Sequence, residues 1–309
     1  MKGLDPTFCQ HQINLHKDPK PVQERRYHLN LNYAVNVKEE IDKLLWVGFI
    51  RPIKKDTWLS LIVVPKKNGK IRVCVDYWKL NKAAVTNAFP LPFIDGVLDA
   101  VARHEIYSFL DGFSDYNQVR MHPNYQEKTT FVTEWGVFVA TAMMFGLKTT
   151  LVTFQRAIED FADHIPTFMQ VFLDDFVVYS KRTDHFKHLQ LCLEKCRQGR
   201  WSLNPAKCAF GVMGWTLLGH IVSQEGIVVD LDKVKVVIEA SPLTNAKSLI
   251  WFLGQNQWHD HMVRYLADVT TTLHAAVPKT PFQWSTSEQD AYDCLKKVLT
   301  KVPLVQPPN

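Results

Sequence analysis

The chain has 309 residues, 46% of them hydrophobic and 22% charged, an ordinary globular balance with length enough for two or three packed subdomains. No uncharged apolar run approaches the roughly 18 residues that span a bilayer. The N-terminal MKGLDPTFCQHQ lacks the apolar core of a secretory signal, so an intracellular protein without membrane association is expected.

Residues 1–35 are polar and proline-spaced and predict an extended N-terminal arm in which Lys17, Lys20, Arg25 and Arg26 crowd together. NVKEEIDKLLWVG, from 36 to 48, carries apolar residues at helical spacing and a glycine at its end, which predicts a helix. LSLIVVPKK and KIRVCVDY flank Lys67-Asn68-Gly69-Lys70, so apolar β-branched runs joined by Asn-Gly predict a hairpin. Lys54, Lys55, Lys66, Lys67, Lys70 and Arg72 gather there; with the net charge of +5 they suit contact with a phosphate backbone, and equally a solvated basic face. Pro90 and Pro92 interrupt the chain before a short helix in FIDGVLDAVA, and the strand IYSFLDGF then ends in Asp111. KTTFVTEWGVFVA alternates as a second hairpin around Trp135-Gly136, TFQRAIEDFADHI predicts a helix, and FMQVFLDDFVVYS reads as strand, acidic turn, strand. HFKHLQLCLEKCRQ predicts an amphipathic helix with Phe186, Leu189, Leu193 and Cys196 on one side. Further strands are expected over 208–229, and mainly helix over the last eighty residues. Hairpins interleaved with helices argue against an all-parallel sheet and for an α+β class. The six cysteines are scattered, and Cys192 and Cys196 lack the second pair that a zinc site needs, so buried reduced thiols are expected.

The chemistry concentrates at Phe172-Leu173-Asp174-Asp175-Phe176. Neighbouring side chains in a regular strand point to opposite faces, so two adjacent aspartates serve one site only where the backbone turns. A solvated Asp-Asp turn explains them as simply. Asp111 also ends an apolar strand, either as a plain strand-end residue or as a third carboxylate. Carboxylates converging from two strand ends suit hard divalent cations, which take a few carboxylates together with substrate phosphate oxygens.

At these residues the chain resembles the polymerase region of gypsy-type LTR retrotransposon reverse transcriptases. VPKKNGKIRVCVDYWKLN is similar to the basic fingers hairpin, FPLPFIDGVLDAV to the segment leading into the palm, and YSFLDGFSDYNQVRMHP to the strand with the first catalytic aspartate. FVTEWGVF and MMFGLKTTLVTFQRAI resemble the next two blocks, VFLDDFVVYSK the catalytic turn, and LNPAKCAFG and LLGHIVSQEGI the palm end and primer grip. The resemblance implies a right-hand polymerase fold of fingers, palm and thumb, its palm an antiparallel sheet backed by helices. It implies an arm over 1–35, fingers and palm over 36–230, a thumb-like helical region over 231–279, and over 280–309 a tether toward an RNase H domain not included here. The implied reaction is addition of deoxynucleotides to a primer on an RNA or DNA template, with two Mg²⁺ ions for which Mn²⁺ substitutes. Asp111, Asp174 and Asp175 would be the catalytic carboxylates and metal ligands. Lys66 or Lys67 and Arg72 would hold the triphosphate, Tyr116 would sit under the sugar, and Phe145 and Gly146 would line the incoming nucleotide. The implied partners are primed template and deoxynucleoside triphosphates, the implied location cytoplasmic and, for an active element, particle-associated. Composition and motifs say nothing of oligomeric state.

The chain departs from the family at Asp115, where a small residue is usual, at Trp78 in place of an arginine, and at Leu61, Met144 and Leu151 in place of prolines. These changes cluster at the nucleotide pocket, which leads to the expectation of a decayed copy that folds but polymerises weakly or not at all. The competing readings are a nucleic-acid-binding remnant without catalysis and a metal-dependent nuclease; the latter lacks a recognisable base and leaves the basic hairpin unexplained.

Overall fold

The computed structural model describes residues 3–17, 31–54, 61–65, 71–86, 89–90, 92–113, 115–229, 231–240, 243–256, 266–278 and 282–300. In chain order its elements are β1 (Gln10–His11), α1 (Leu31–Trp46), β2 (Ile50–Pro52), β3 (Leu61–Pro65), β4 (Ile71–Val75), α2 (Trp78–Ala83), α3 (Ile94–Val101), β5 (Ile106–Asp111), β6 (Arg120–Met121), α4 (Pro123–Gln126), β7 (Phe131–Thr133) and β8 (Gly136–Ala140). There follow α5 (Thr150–Ala157), β9 (Met169–Phe172), β10 (Asp175–Ser180), α6 (His185–Gln198), β11 (Ala209–Val212), β12 (Gly214–Leu217), β13 (His220–Ser223), β14 (Gly226–Val229), α7 (Leu231–Ile238), α8 (Ala246–Asn256), α9 (Leu266–Ala276) and α10 (Thr286–Thr300). Helices mixed with antiparallel hairpins bear out the α+β class. The three expected hairpins are present as β3–β4, β7–β8 and β9–β10, the order of the last sheet being β11-β5-β10-β9.

The chain divides into two compact units. The first comprises Met1–Pro92, Leu110–Phe176 and Lys187–Cys208. It holds the antiparallel sheet β2-β8-β7, the β3–β4 hairpin and the parallel pair β1–β6. Tyr77, Phe131, Phe154, Phe161 and Phe176 are fully buried in it. Trp201 packs against Phe154, Phe161 and Phe176 with centroids 5.5–5.7 Å apart. The second unit comprises Phe93–Phe109, Val177–Phe186 and Ala209–Asn309. Its β12-β13-β14 sheet is built of consecutive antiparallel hairpins. In its helical part Phe252 packs on Tyr292 at 4.8 Å, and the Tyr292 hydroxyl donates to the Ala240 carbonyl at 2.9 Å. Helix α10 opens on a capping box, the Glu288 carboxylate accepting from the Ser285 amide at 2.8 Å.

Two expectations are corrected. Phe186 does not join the buried face of α6 but is exposed, and His185, Cys192 and Cys196 form that face. Spacings of seven and four residues keep these three on one stripe, and position 186 is turned about 100° away from it. The helix expected from Thr153 starts at Thr150 and tightens after Ala157 into a 3-10 turn, Ile158–Phe161. The i,i+3 eclipsing of a 3-10 turn puts Ile158 and Phe161 on one side, where both are buried. The cysteines are free thiols, with Cys192 and Cys196 buried; the hydrogen bond that the Cys192 thiol gives to Cys196, reinforced by burial, pushes the Cys192 thiol up.

The N-terminal arm carries a strongly perturbed histidine. His11 is fully buried, and burial lowers its imidazole from the ordinary 6.5 to about 4. The unfolded chain therefore takes up a proton that the folded chain refuses. His11's contribution to stability is intact above pH 6.5 and is lost as the pH falls toward 4. Each pH unit in that window costs up to about 1.4 kcal/mol, about 3 kcal/mol in all. Urea unfolding at pH 7 and pH 5 checks this: His11→Gln is expected to flatten the slope between them, and an unchanged slope would assign it to other groups.

Candidate active site

Asp111 ends β5 inside the first unit, and Asp174 sits on the two-residue turn Leu173-Asp174 between β9 and β10. The Gly112 amide donates to the Asp174 carbonyl at 2.9 Å, so two aspartates 63 positions apart come to adjoining backbone. Leu173 adopts φ +56°, a left-handed conformation that costs a branched residue roughly 1–2 kcal/mol. Such strain persists only where the surroundings over-determine it, and it gathers at functional sites. Asp175, half-buried, begins β10 and is followed by the buried Phe176.

The segment after α6 returns to this point. Asn204 donates its amide to the Asp111 carbonyl at 2.8 Å, and the Lys207 ammonium grips both carboxylate oxygens of Asp111 at 3.0 and 3.2 Å. The Asp111 side chain is only 16% exposed and Lys207 59%, so the lysine covers the carboxylate from the solvent side. LNPAKCAFG was visible in the sequence, but no spacing rule pairs a lysine with an aspartate 96 positions away. Among the described residues no three His, Cys, Asp or Glu side chains form a ready-made metal cluster. The donor set is nevertheless the hard-oxygen kind that suits Mg²⁺, which completes its shell with water and substrate phosphate. A cationic charge already rests on Asp111.

Tyr116 meets Phe145 and Phe154 edge-on at centroid distances of 5.2 and 5.4 Å. Gly146 follows at φ +94°, and a Cβ there would lie 3.2 Å from the Val75 carbonyl oxygen. Asn81 of α2 pins this loop, donating to the Gly146 carbonyl at 2.7 Å and accepting from the Lys148 amide at 2.8 Å. Gly146→Ala combines a strained φ with a tight approach to a backbone oxygen and is expected to cost about 1–3 kcal/mol in urea unfolding.

Arg72 lies on β4 opposite Val64. Lys66 and Lys67 fall outside the described residues, as do Lys20, Arg25, Arg26, Lys55 and Lys70. Met144 is buried and gives its carbonyl to the Thr150 hydroxyl at 3.4 Å. Trp78 is exposed, with the Lys82 ammonium 3.6 Å from its ring centroid. The loop that prolines would stiffen is thus tied by side-chain bonds instead.

A family model described as reverse transcriptase (RNA-dependent DNA polymerase) matches residues 64–256. A retrovirus-related Pol polyprotein from transposon 412 of Drosophila melanogaster is 30% identical over 303 residues, 95% of this chain and 24% of the relative. The corresponding polyprotein from transposon opus of the same organism is 32% identical over 260 residues, 82% of this chain and 26% of the relative. The chain thus spans about a quarter of the length of the curated relatives it matches. Among solved structures, a foamy viral protease-reverse transcriptase in complex with RNA/DNA hybrid superposes with a TM-score of 0.87 at 19% identity, over 96% of this chain and 40% of that one. At that identity the likeness shows the fold, the right-hand polymerase fold that the sequence motifs imply.

Proposed function

Because the chain belongs to the reverse transcriptase (RNA-dependent DNA polymerase) family, we propose that it extends a primer on an RNA or DNA template by adding deoxynucleotides from their triphosphates. The observation that supports this reading is the bond from the Gly112 amide to the Asp174 carbonyl, which joins the backbones of the two aspartate-bearing strand ends beside a strained turn. In the reaction the primer 3′-hydroxyl bonds to the α-phosphorus and pyrophosphate leaves. Asp111, Asp174 and Asp175 would hold Mg²⁺, with Mn²⁺ as substitute, and a pair of such ions supplies charge stabilisation to the attacking and leaving oxygens. Lys207 keeps the Asp111 charge compensated until the substrates arrive. Tyr116, held by Phe145 and Phe154, lies under the sugar, and Gly146 lets the backbone approach the nucleotide. Arg72 with Lys66 or Lys67 takes the triphosphate, because charge-assisted bonds suit phosphate oxygens. The proposal includes the arm at 1–35, fingers and palm at 36–230, a thumb-like region at 231–279 and a tether at 280–309. It also places the protein inside the cell; among the described residues no helix is long and apolar enough to cross a membrane.

The second reading, a remnant that binds nucleic acid without catalysis, draws on Asp115 and Trp78. The bonds that Asn81 gives to the Gly146 carbonyl and accepts from the Lys148 amide argue for a pocket backbone still in place. Primer extension on an RNA template, with Mg²⁺ and then Mn²⁺, decides between them. Templated extension is expected. Salt-dependent binding to an RNA–DNA hybrid with no product would establish the remnant.

A further inference from the structure

Residues 3–16 lie outside the segment that the family model matches, yet they are laid tightly into the first unit. Leu4 donates its amide to the Gln118 carbonyl at 2.8 Å, and Gly3, at φ +68°, lies so close that a Cβ would come within 2.5 Å of that same oxygen. Four residues further along that segment, His122 donates its amide to the His11 carbonyl at 3.0 Å, within the parallel pairing of β1 and β6. The arm thus grips both ends of 118–122, directly after Tyr116. Beyond it, Asn14 and His16 bond to Val85 and Ala83.

The His11 side chain reaches in the other direction. Its Nδ1 lies 2.8 Å from Thr153 Oγ1 and its Nε2 3.3 Å from Thr149 Oγ1. The Thr153 hydroxyl already donates its one proton to the Thr149 carbonyl at 3.1 Å. With that proton so engaged it accepts from Nδ1–H and Nε2 accepts from the Thr149 hydroxyl; the opposite tautomer keeps both contacts with the roles reversed. The neutral imidazole closes a complete ring of bonds onto α5, next to Phe154, against which Tyr116 packs.

We propose that residues 3–16 are a strap that sets the nucleotide pocket, with His11 as a positioning residue coupling the segment after Tyr116 to the helix that carries Phe154. This rests on the polymerase reading for its consequence but not for its geometry. A small displacement of a positioned group is costly in such a site, so loss of the coupling acts on nucleotide binding rather than on the template.

The test uses the full chain as wild type, His11→Ala, His11→Gln and Gly3→Ala. Three quantities are measured: dTTP affinity in a complex with a dideoxy-terminated primer on an adenine-templating RNA, affinity for the primed template alone, and amide hydrogen exchange. His11→Ala is expected to weaken dTTP about tenfold and the primed template less than twofold, and to speed exchange at 118–122 and 149–153 while β9 and β10 keep their protection. His11→Gln, which can still donate and accept, is expected to recover most of the dTTP affinity, and Gly3→Ala to reproduce the fast exchange at 118–122 by a separate route. Unchanged dTTP affinity in His11→Ala, an equal loss for dTTP and template, or a His11→Gln no better than His11→Ala would each overturn the proposal. A wild type that binds no dTTP would defeat the polymerase reading instead. Exchange alone would then judge the strap, unaltered rates at 118–122 in both His11→Ala and Gly3→Ala counting against it.

Discussion

Replacing Asp174 by asparagine is expected to reduce primer extension roughly a thousandfold or more, while moving the urea midpoint little. Asparagine keeps the shape of the side chain and removes its charge. The bond that fixes the turn uses the Asp174 carbonyl as acceptor from Gly112, which the substitution leaves in place. Asp174 is half-exposed at the tip of the hairpin, so the folded state loses little. What disappears is a hard anionic oxygen on the turn whose backbone adjoins Gly112, and a neutral amide replaces it poorly as a ligand for a divalent cation. Affinity for an RNA–DNA hybrid should hold or rise slightly, since one negative charge fewer faces the phosphates. Single-nucleotide extension measured beside hybrid binding separates these effects. Wild-type extension by Asp174→Asn would reduce Asp174 to a solvated turn residue and remove the main support for the proposed chemistry.

Trp201→Ala is expected to destabilise the first unit by about 3–5 kcal/mol. The indole is nearly buried and packs on Phe154, Phe161 and Phe176. Phe176 directly follows Asp175, and Phe154 supports Tyr116. The same cavity should therefore loosen the turn and the aromatic pocket together. Trp201→Phe offers a sharper comparison. Among the described residues the indole N–H is buried without a hydrogen-bond partner. Phenylalanine keeps a ring in place and removes that donor, whose burial costs roughly 1–3 kcal/mol, so the net loss should stay below about 1.5 kcal/mol. Urea unfolding of both variants checks this. Equal losses would mean that the ring's full volume, and not its unpaired donor, governs the site.

The departures from the family do not all act alike. Trp78 points to solvent under Lys82, and Met144 is accommodated in the interior. Neither distorts the loop that Asn81 holds. Asp115, Leu61 and Leu151 remain as the departures on which the idea of a decayed pocket rests, and reverting Asp115 to glycine is the first comparison to make should extension prove weak.

The paired strands, the acidic turn and the helical C-terminal part were legible in the amino-acid sequence, because period-two alternation, an aspartate set between apolar runs, and helical spacing act within a few residues of one another. Asp111, Asp174 and Asp175 stood out for the same local reason, polar residues set at the ends of apolar runs. The tertiary structure alone decided that Lys207 covers Asp111, that His11 ties β6 to α5, and that His185, Cys192 and Cys196 rather than Phe186 form the buried side of α6. Each of those outcomes depends on which distant surface removes water from a side chain and offers it a partner. Hydrogen-bond satisfaction and burial are properties of the assembled neighbourhood, which no window of sequence contains.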